Sequence, residues 1–215
     1  MARDQVKRKQ GPAPVEIGRG ILVRGGARIK NDTWRLLEAD EHPPQDGDII
    51  VPLERFKAER EVLLARRGRL GVLLKSDEPV EEIGPDAERF ALVMVQFPVF
   101  RDGRGLTIAR LLRERYRFKG EIRAAGDVLE DQIFFMLRCG FTSFEIIAAD
   151  PEAAFARAAR SFTHAYQASA DGLAPAHVQR ARRREARQQN EVVILPATTP
   201  AQRAAALSGD RKSVV

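Results

Sequence analysis

The sequence predicts an α/β fold in which repeated strand-helix units build a mainly parallel, five-stranded sheet. Five short apolar runs alternate with segments of ten or more residues that suit helices, which is the pattern of a parallel sheet with crossover helices. The third run, residues 91–97, is apolar almost throughout, as expected of a strand covered on both faces. Five units are too few to close an eight-stranded barrel, so the sheet is either open or a partial barrel.

The predicted elements begin with a hairpin. Two short apolar segments, residues 21–23 and 27–29, flank the turn-forming Arg24-Gly25-Gly26. The sheet strands are then expected at residues 48–53, 70–74, 91–97, 121–125 and 144–148. Helices are expected at residues 54–67, from about 78, and at 106–116, 128–138 and 151–166. Asp150 and Pro151 suit the N-cap and first position of the last helix.

The distribution of charge divides the chain into three parts. Residues 1–20 carry five basic and two acidic residues, and residues 171–215 carry eight and four. The intervening residues 21–170 carry 23 basic and 24 acidic residues, so the net charge of +6 belongs to the ends. We therefore predict a disordered arm over 1–20, a single α/β domain over 21–170, and a basic, disordered tail over 171–215. A nearly neutral body makes a nucleic-acid-binding domain an unfavoured interpretation.

Cysteine usage and hydropathy indicate a cytoplasmic protein. The chain has one cysteine, Cys139, which excludes an intrachain disulfide and suits a reducing compartment. There is no apolar signal core at the N-terminus and no 18-residue apolar run, so no membrane segment is expected. Cys139 ends the predicted fourth helix, away from the expected ligand edge, where packing is a better explanation than nucleophilic catalysis.

The first candidate site is the turn after the third predicted sheet strand. Ligands of an open parallel sheet bind outside the carboxyl ends of its strands. Gly103 and Gly105 permit close backbone approach, and Arg104 beside a helix start would bind an anion. Asp102 is either a base or the residue that holds a neighbouring arginine. The alternative is an ordinary Asp-Gly turn.

The second candidate site is the turn after the fourth predicted sheet strand. Arg123 would project toward the cleft of Arg104, with Gly126 and Asp127 in the turn itself. Two converging arginines near helix starts would bind a small oxyanion such as sulfite, sulfate or phosphate. Alternatively, Asp127 is an N-cap and Arg123 belongs to a structural ion pair. Asp131 and Gln132 in the following helix either face this turn or face solvent.

No cofactor is assigned by the sequence. It contains no flavin, nicotinamide, haem or iron–sulfur motif that we recognise, and the spacing of cysteine and histidine supports no metal site. A phosphate-binding P-loop and a Ser/His/Asp nucleophile elbow are likewise absent from the sequence. The cofactor is therefore unknown.

An ordered set of short motifs runs through the chain. The motifs are Trp34-Arg35, Val51-Pro52-Leu53-Glu54-Arg55, Phe97-Pro98, Asp102-Gly103-Arg104-Gly105, Ala109-Arg110-Leu111-Leu112-Arg113, Gly120-Glu121, Arg123-Ala124, Gly126-Asp127-Val128, Asp131-Gln132, Arg138-Cys139-Gly140-Phe141 and Tyr166-Gln167. With them, residues 21–167 resemble the bacterial family called domain of unknown function 934. That family is described as oxidoreductases associated with sulfite reduction. The resemblance supplies no catalytic residues.

Three functional hypotheses follow from the residues and the resemblance. In the first, the protein is an oxidoreductase or accessory protein of assimilatory sulfite reduction, with an oxyanion pocket at the two turns. In the second, it is a non-catalytic partner or scaffold of sulfite reductase without its own cofactor. A homodimer would be a way to cover an edge of the sheet. The third assigns nucleic-acid contact to the basic tail, against which the tail's lack of tyrosine, phenylalanine and tryptophan argues.

Overall fold

The computed structural model describes residues 17–18, 20–38 and 40–188. Residues 187 and 188 are described by their backbone alone. Most of the predicted N-terminal arm and the part of the predicted tail beyond residue 188 lie outside these residues. The strands are β1 (Ile21–Arg24), β2 (Ala27–Arg28), β3 (Trp34–Leu36), β4 (Asp48–Pro52), β5 (Leu70–Lys75), β6 (Leu92–Phe97), β7 (Glu121–Gly126) and β8 (Ser143–Ile146). The α-helices are α1 (Leu53–Ala58), α2 (Arg60–Leu64), α3 (Arg104–Glu114), α4 (Glu130–Cys139), α5 (Pro151–Ala159) and α6 (Ala176–Gln188).

The eight strands of the described residues form one mixed sheet in the order β2-β1-β8-β7-β6-β5-β4-β3. Strands β3 to β8 are parallel neighbours in chain order, and the sheet curls into half of a barrel. The α/β class and the five strands from β4 to β8 are confirmed. The expected total of five strands was too small, because β3 adds a parallel strand at one edge and the N-terminal hairpin adds two at the other.

The hairpin prediction is confirmed, and the structure also shows where the hairpin lies. Strands β1 and β2 are antiparallel, and Gly25 and Gly26 between them have φ values of 60° and 90°. Two successive residues with positive φ form a turn whose twist matches that of the strands. Strand β1 then pairs antiparallel with β8, so the hairpin covers an edge that the parallel units leave open.

The helices occupy one face of the parallel strands. When neighbouring parallel strands follow one another in chain order, right-handed crossovers place every connection on the same side. The main core accordingly combines outward strand residues such as Val72, Val95 and Phe144 with helix residues such as Leu112 and Ile133. It is the larger of the two cores.

The concave face of the sheet carries a smaller core. This core contains Ile50, Leu73, Leu92, Met94 and Ala125, with Ile17 and Trp34 packed against it. The register places these side chains in rows across the sheet, because Leu73 pairs with Met94 and Met94 pairs with Arg123. Toward β7 and β8 the side chains in these rows become polar and charged, and they form a polar cluster there.

Several helices differ from their predicted bounds. The segment expected to be helical from about residue 78 forms two 3₁₀ turns, Val80–Glu82 and Gly84–Arg89, because Pro79 and Gly84-Pro85 interrupt an α-helix. The final predicted helix ends at Ala159, and its Asp150 N-cap is confirmed by a hydrogen bond from the Ala153 amide. Helix α6 forms within the segment for which the sequence favours disorder. Among the described helices, none combines the length and apolar character needed to cross a membrane.

Candidate functional site

The carboxyl ends of β5 and β6 are joined by three side chains. Asp102, in the turn after β6, accepts hydrogen bonds from Nε and Nη2 of Arg104 at 2.9 and 2.7 Å. Its Oδ2 also accepts from the Ser76 hydroxyl, which follows β5, at 2.5 Å. Arg104 Nη2 lies 3.3 Å from the same hydroxyl oxygen. Ser76, Asp102 and Arg104 therefore form one hydrogen-bonded unit, which we call the edge triad.

The contacts within the edge triad keep Asp102 negatively charged and Arg104 positively charged. The Arg104 guanidinium, followed by the Ser76 hydroxyl and the Arg104 amide, holds the pKa of Asp102 well below its usual range despite the opposing effect of burial. Asp102 raises the pKa of Arg104 in return. Because a carboxylate with a depressed pKa is a weak proton acceptor, Asp102 suits the positioning of Arg104 better than the role of a base.

Residues that follow β7 form hydrogen bonds with the loop between β6 and α3. The Asp127 Oδ2 atom accepts from the Phe100 amide at 2.8 Å, and Gln132 Nε2 donates to the Phe100 carbonyl. The Gln132 side-chain oxygen accepts from the Leu129 amide at 3.3 Å. Asp127 and Gln132 therefore position the loop that leads into α3. Asp131, also a candidate, is exposed in the first turn of α4.

The three candidate glycines have different roles. A Cβ atom at Gly126, where φ is +96°, would lie 2.5 Å from the Phe97 carbonyl oxygen. A Cβ at Gly105 would lie 2.7 Å from the Phe97 ring, so both glycines allow close packing. Gly103 has open space where a side chain would project, and it therefore leaves the surface beside Arg104 accessible.

Arg123 lies in a different environment from Arg104. It belongs to the concave face of β7, and its side chain is 2% exposed. Its guanidinium contacts Asp32 at 2.5 and 3.1 Å and Glu121 at 3.0 and 3.1 Å. Among the described residues, Arg104 and Arg123 share no hydrogen-bonding partner. The structural alternative for Arg123, an ion pair, thus describes its observed contacts.

Arg123 is part of a buried polar cluster on β1, β7 and β8. Glu121 also accepts from Ser143 Oγ at 2.5 Å and from Arg24. Burial raises the pKa of Glu121, but Arg123, Arg24 and Ser143 outweigh that effect and lower it overall. These contacts join β1, β7 and β8 to one another and to the segment that contains Asp32.

Glu145, like Glu121, places a carboxyl on the concave face of the sheet. It is 7% exposed and accepts a hydrogen bond from the Gly18 amide at 2.8 Å. Burial, opposed in part by that amide and by Arg123, raises the pKa of Glu145. The short segment at Gly18 is thereby connected to β8.

Sequence reasoning missed Ser76, Asp32, Glu121, Ser143 and Glu145. Part of the signal was present, because polar residues alternate with apolar ones in Glu121-Ile122-Arg123-Ala124 and in Ser143-Phe144-Glu145-Ile146. A period of two assigns these polar groups to one face of two strands. Asp32 carries no comparable signal, since it lies outside any strand.

The surroundings of Cys139 fit the sequence-based interpretation of a packed thiol. Cys139 packs against the main core at the end of α4, and burial raises the pKa of its thiol, which opposes formation of the nucleophilic thiolate. Within the described ranges, no group of three histidine, cysteine or acidic side chains is placed to hold a metal ion.

Comparison with known families gives one result. The family model described as bacterial protein of unknown function, DUF934, matches residues 71–177, a range that contains the edge triad and every candidate of the two turns. Neither a curated protein nor a solved structure matches the chain. The chain belongs, through residues 71–177, to the DUF934 family of bacterial proteins of unknown function.

Proposed function

We propose that this protein serves assimilatory sulfite reduction by binding a sulfur oxyanion beside the edge triad, as an oxidoreductase or as an accessory protein. The main evidence for this site is the hydrogen bonding and exposure of the Arg104 guanidinium. Asp102 and Ser76 engage its Nε and Nη2 atoms, whereas Nη1 makes no hydrogen bond to a described residue. The Arg104 side chain is 61% exposed. A positioned, partly unused guanidinium is suited to a tetrahedral oxyanion.

The surroundings of Arg104 support the same ligand class. Arg104 begins α3, and the first turn of a helix has backbone amides that the helix itself cannot bond. Arg104 and this helix start therefore border the open surface at Gly103. Arg123 contributes no direct contact in this proposal, because its guanidinium is occupied by Asp32 and Glu121.

The second candidate function is that of a non-catalytic partner of sulfite reductase. The ion pairing favours it: Asp102 is neutralised by Arg104, and Arg123 by Asp32 and Glu121. Because Asp102 paired with Arg104 is a weak proton acceptor, this site is better suited to binding than to proton transfer. Under this proposal the protein brings no cofactor of its own to the reductase.

The first experiment tests the pathway. A deletion strain is grown with sulfate, sulfite or sulfide as the sulfur source. We expect growth on sulfide and failure on sulfate and sulfite, which would assign the protein to the reduction step. Equal growth on all three sources would refute a role in sulfite reduction.

The second experiment tests the site and separates the two candidates. Sulfite and sulfate are titrated in a thermal-shift assay against the wild type, Arg104→Ala and Arg110→Ala. Arg110 is the matched control, since it lies in the same helix and is an exposed arginine paired with an acid, Glu114. We expect loss of the shift only in Arg104→Ala. Complementation of the deletion by Arg104→Ala, together with co-purification of reductase subunits, would favour the non-catalytic partner.

A further inference from the structure

Helix α6 presents an unusual concentration of unpaired positive charge. Arg180, Arg182, Arg183 and Arg184 are exposed, and none forms an ion pair or hydrogen bond with a described residue. Elsewhere many surface arginines are paired with acids, as Arg110 is with Glu114 and Arg157 with Glu130. Helical spacing places Arg180, Arg183 and Arg184 on one side of α6.

The base of α6 is attached firmly to the domain. Arg138, buried in α4, donates to Asp171 at 3.1 Å and to the Gln167 carbonyl at 2.6 Å. The Ala176 amide, at the start of α6, donates to the Ala165 carbonyl at 2.7 Å. The segment before α6 is thus held by a buried ion pair, which gives the arginines a defined position relative to that segment.

Rings of the segment before α6 are exposed, and one of them lies against the helix. Tyr166 is 78% exposed, and its ring centroid lies 6.5 Å from that of His177 in α6. Phe162, four residues earlier, is 51% exposed while it contacts Phe134. A cleft of about 120 Å³ between this segment and the helix is lined by His164, Ala176, Gln179, Arg180 and Arg183. None of the described residues that line it is acidic.

This arrangement changes the conclusion drawn from the composition of the tail. The tail after residue 170 has arginines but no tyrosine, phenylalanine or tryptophan, which argues against nucleic acid. The structure supplies rings from the preceding segment, since Tyr166 lies beside His177 of α6 and His164 lines a cleft with Arg180 and Arg183. Positive charge and exposed rings are the two components of surfaces that bind single-stranded nucleic acid, because phosphates pair with the cations and bases stack on the rings.

We infer that the surface formed by Tyr166, His164 and the arginines of α6 binds single-stranded nucleic acid. The cleft at Arg180 and Arg183 receives a phosphate, and the exposed face of Tyr166 stacks with a neighbouring base. A single strand fits better than a duplex, since the bases of a duplex are already stacked and offer no free face to Tyr166. This activity is independent of the sulfur-oxyanion site at Arg104.

Fluorescence anisotropy with the full chain tests this inference. The probes are fluorescein-labelled 12-nucleotide oligo(dT) and oligo(U), titrated over a range of salt concentrations. The triple variant Arg180→Gln/Arg183→Gln/Arg184→Gln should weaken binding at least about tenfold at low salt, and it should reduce the slope of log K against log salt by about 2. The control Arg67→Gln/Arg110→Gln/Arg115→Gln removes the same charge from exposed, paired arginines and should stay within about twofold of the wild type.

Substitution of Tyr166 separates stacking from simple charge attraction. Tyr166→Ala should weaken binding at least about fivefold, and Tyr166→Trp should restore it. Circular dichroism should show an unchanged fold, because the side chain is largely exposed. Unaltered binding in Tyr166→Ala, or binding of a 12-base-pair duplex or of polyglutamate as tight as that of the single strand, would overturn the inference and indicate a surface for acidic partners in general.

Discussion

The guanidinium of Arg113, in α3, donates two hydrogen bonds to the backbone carbonyl of Gly140 at the end of α4, at 2.9 and 3.1 Å. Its Nη1 atom donates to the carbonyls of Phe118 and Gly120 at 2.6 and 2.9 Å. Burial lowers the pKa of Arg113 to about 10, so the group remains a cation at neutral pH. One side chain thus connects α3 to the segment before β7 and to the end of α4.

We predict that Arg113→Met destabilises the protein by about 2–4 kcal/mol, because the apolar chain keeps the volume but leaves buried carbonyls without a donor. Urea unfolding measures the change. Arg110→Met in the same helix is the control, since its exposed ion pair with Glu114 should contribute less than about 1 kcal/mol. Equal effects at the two positions would show that the contacts to Gly140 add nothing.

Gly126→Ala should destabilise the protein by more than about 2 kcal/mol. The residue has φ +96°, and the added Cβ would lie 2.5 Å from the Phe97 carbonyl oxygen, so the variant combines backbone strain with a clash. Gly103→Ala is the control, because φ is −79° there and no atom lies within 4 Å of the added carbon. Its effect on the free energy of unfolding should stay within about 1 kcal/mol. A tolerated Gly126→Ala would contradict the packing described at this turn.

The edge triad should make stability sensitive to acid. Asp102 has a pKa in the folded state below its unfolded value, so its contribution is present above about pH 4 and is lost as the pH falls through the folded value. We expect Asp102→Asn to be less stable than the wild type at pH 7 and the difference to shrink in strong acid. Urea midpoints between pH 7 and pH 2 provide the measurement. A difference that stays constant over this range would exclude the Arg104 pairing as its cause.

Glu145 should have the opposite pH dependence. Its pKa is raised by burial, so its contribution to stability is present below the unfolded pKa and is lost as the pH rises through the folded one. Glu145→Gln keeps an oxygen for the Gly18 amide and removes the buried acid. We expect this variant to gain stability relative to the wild type at pH 8 and to match it near pH 4. Thermal unfolding at the two pH values tests this, and a variant less stable at pH 8 would contradict it.

Arginines of the family motifs illustrate what a sequence can and cannot assign. Arg113 and Arg138 each appear beside apolar residues within a helix, which reveals a special position but no role. Their partners, Gly140 and Asp171, lie 27 and 33 residues away. Because such contacts depend on how helices pack, the sequence could not distinguish a structural arginine from one that binds a ligand.

The candidate turns were predicted in part for a simple geometric reason. The carboxyl ends of parallel strands meet at one edge, so Asp102, Arg104 and Asp127 were assigned to one edge from strand order alone. Ser76 follows β5 at the same edge and was overlooked, since a serine before Asp77 looks like an ordinary turn residue. Its contact with Asp102 depends on the neighbouring strands lying side by side in register.

The alternation of strands and helices, the N-terminal hairpin and the shared edge of the turns can be predicted from local periodicity and chain connectivity. Three other features appear only in the folded protein: β1 pairs with β8, Arg123 turns inward to Asp32, and Tyr166 lies beside α6. The first two depend on contacts between segments distant in the chain, and the third on how the chain folds back between residues 166 and 176. Such contacts form because buried charges need partners and strand edges need covering, and local patterns do not specify which segment supplies them.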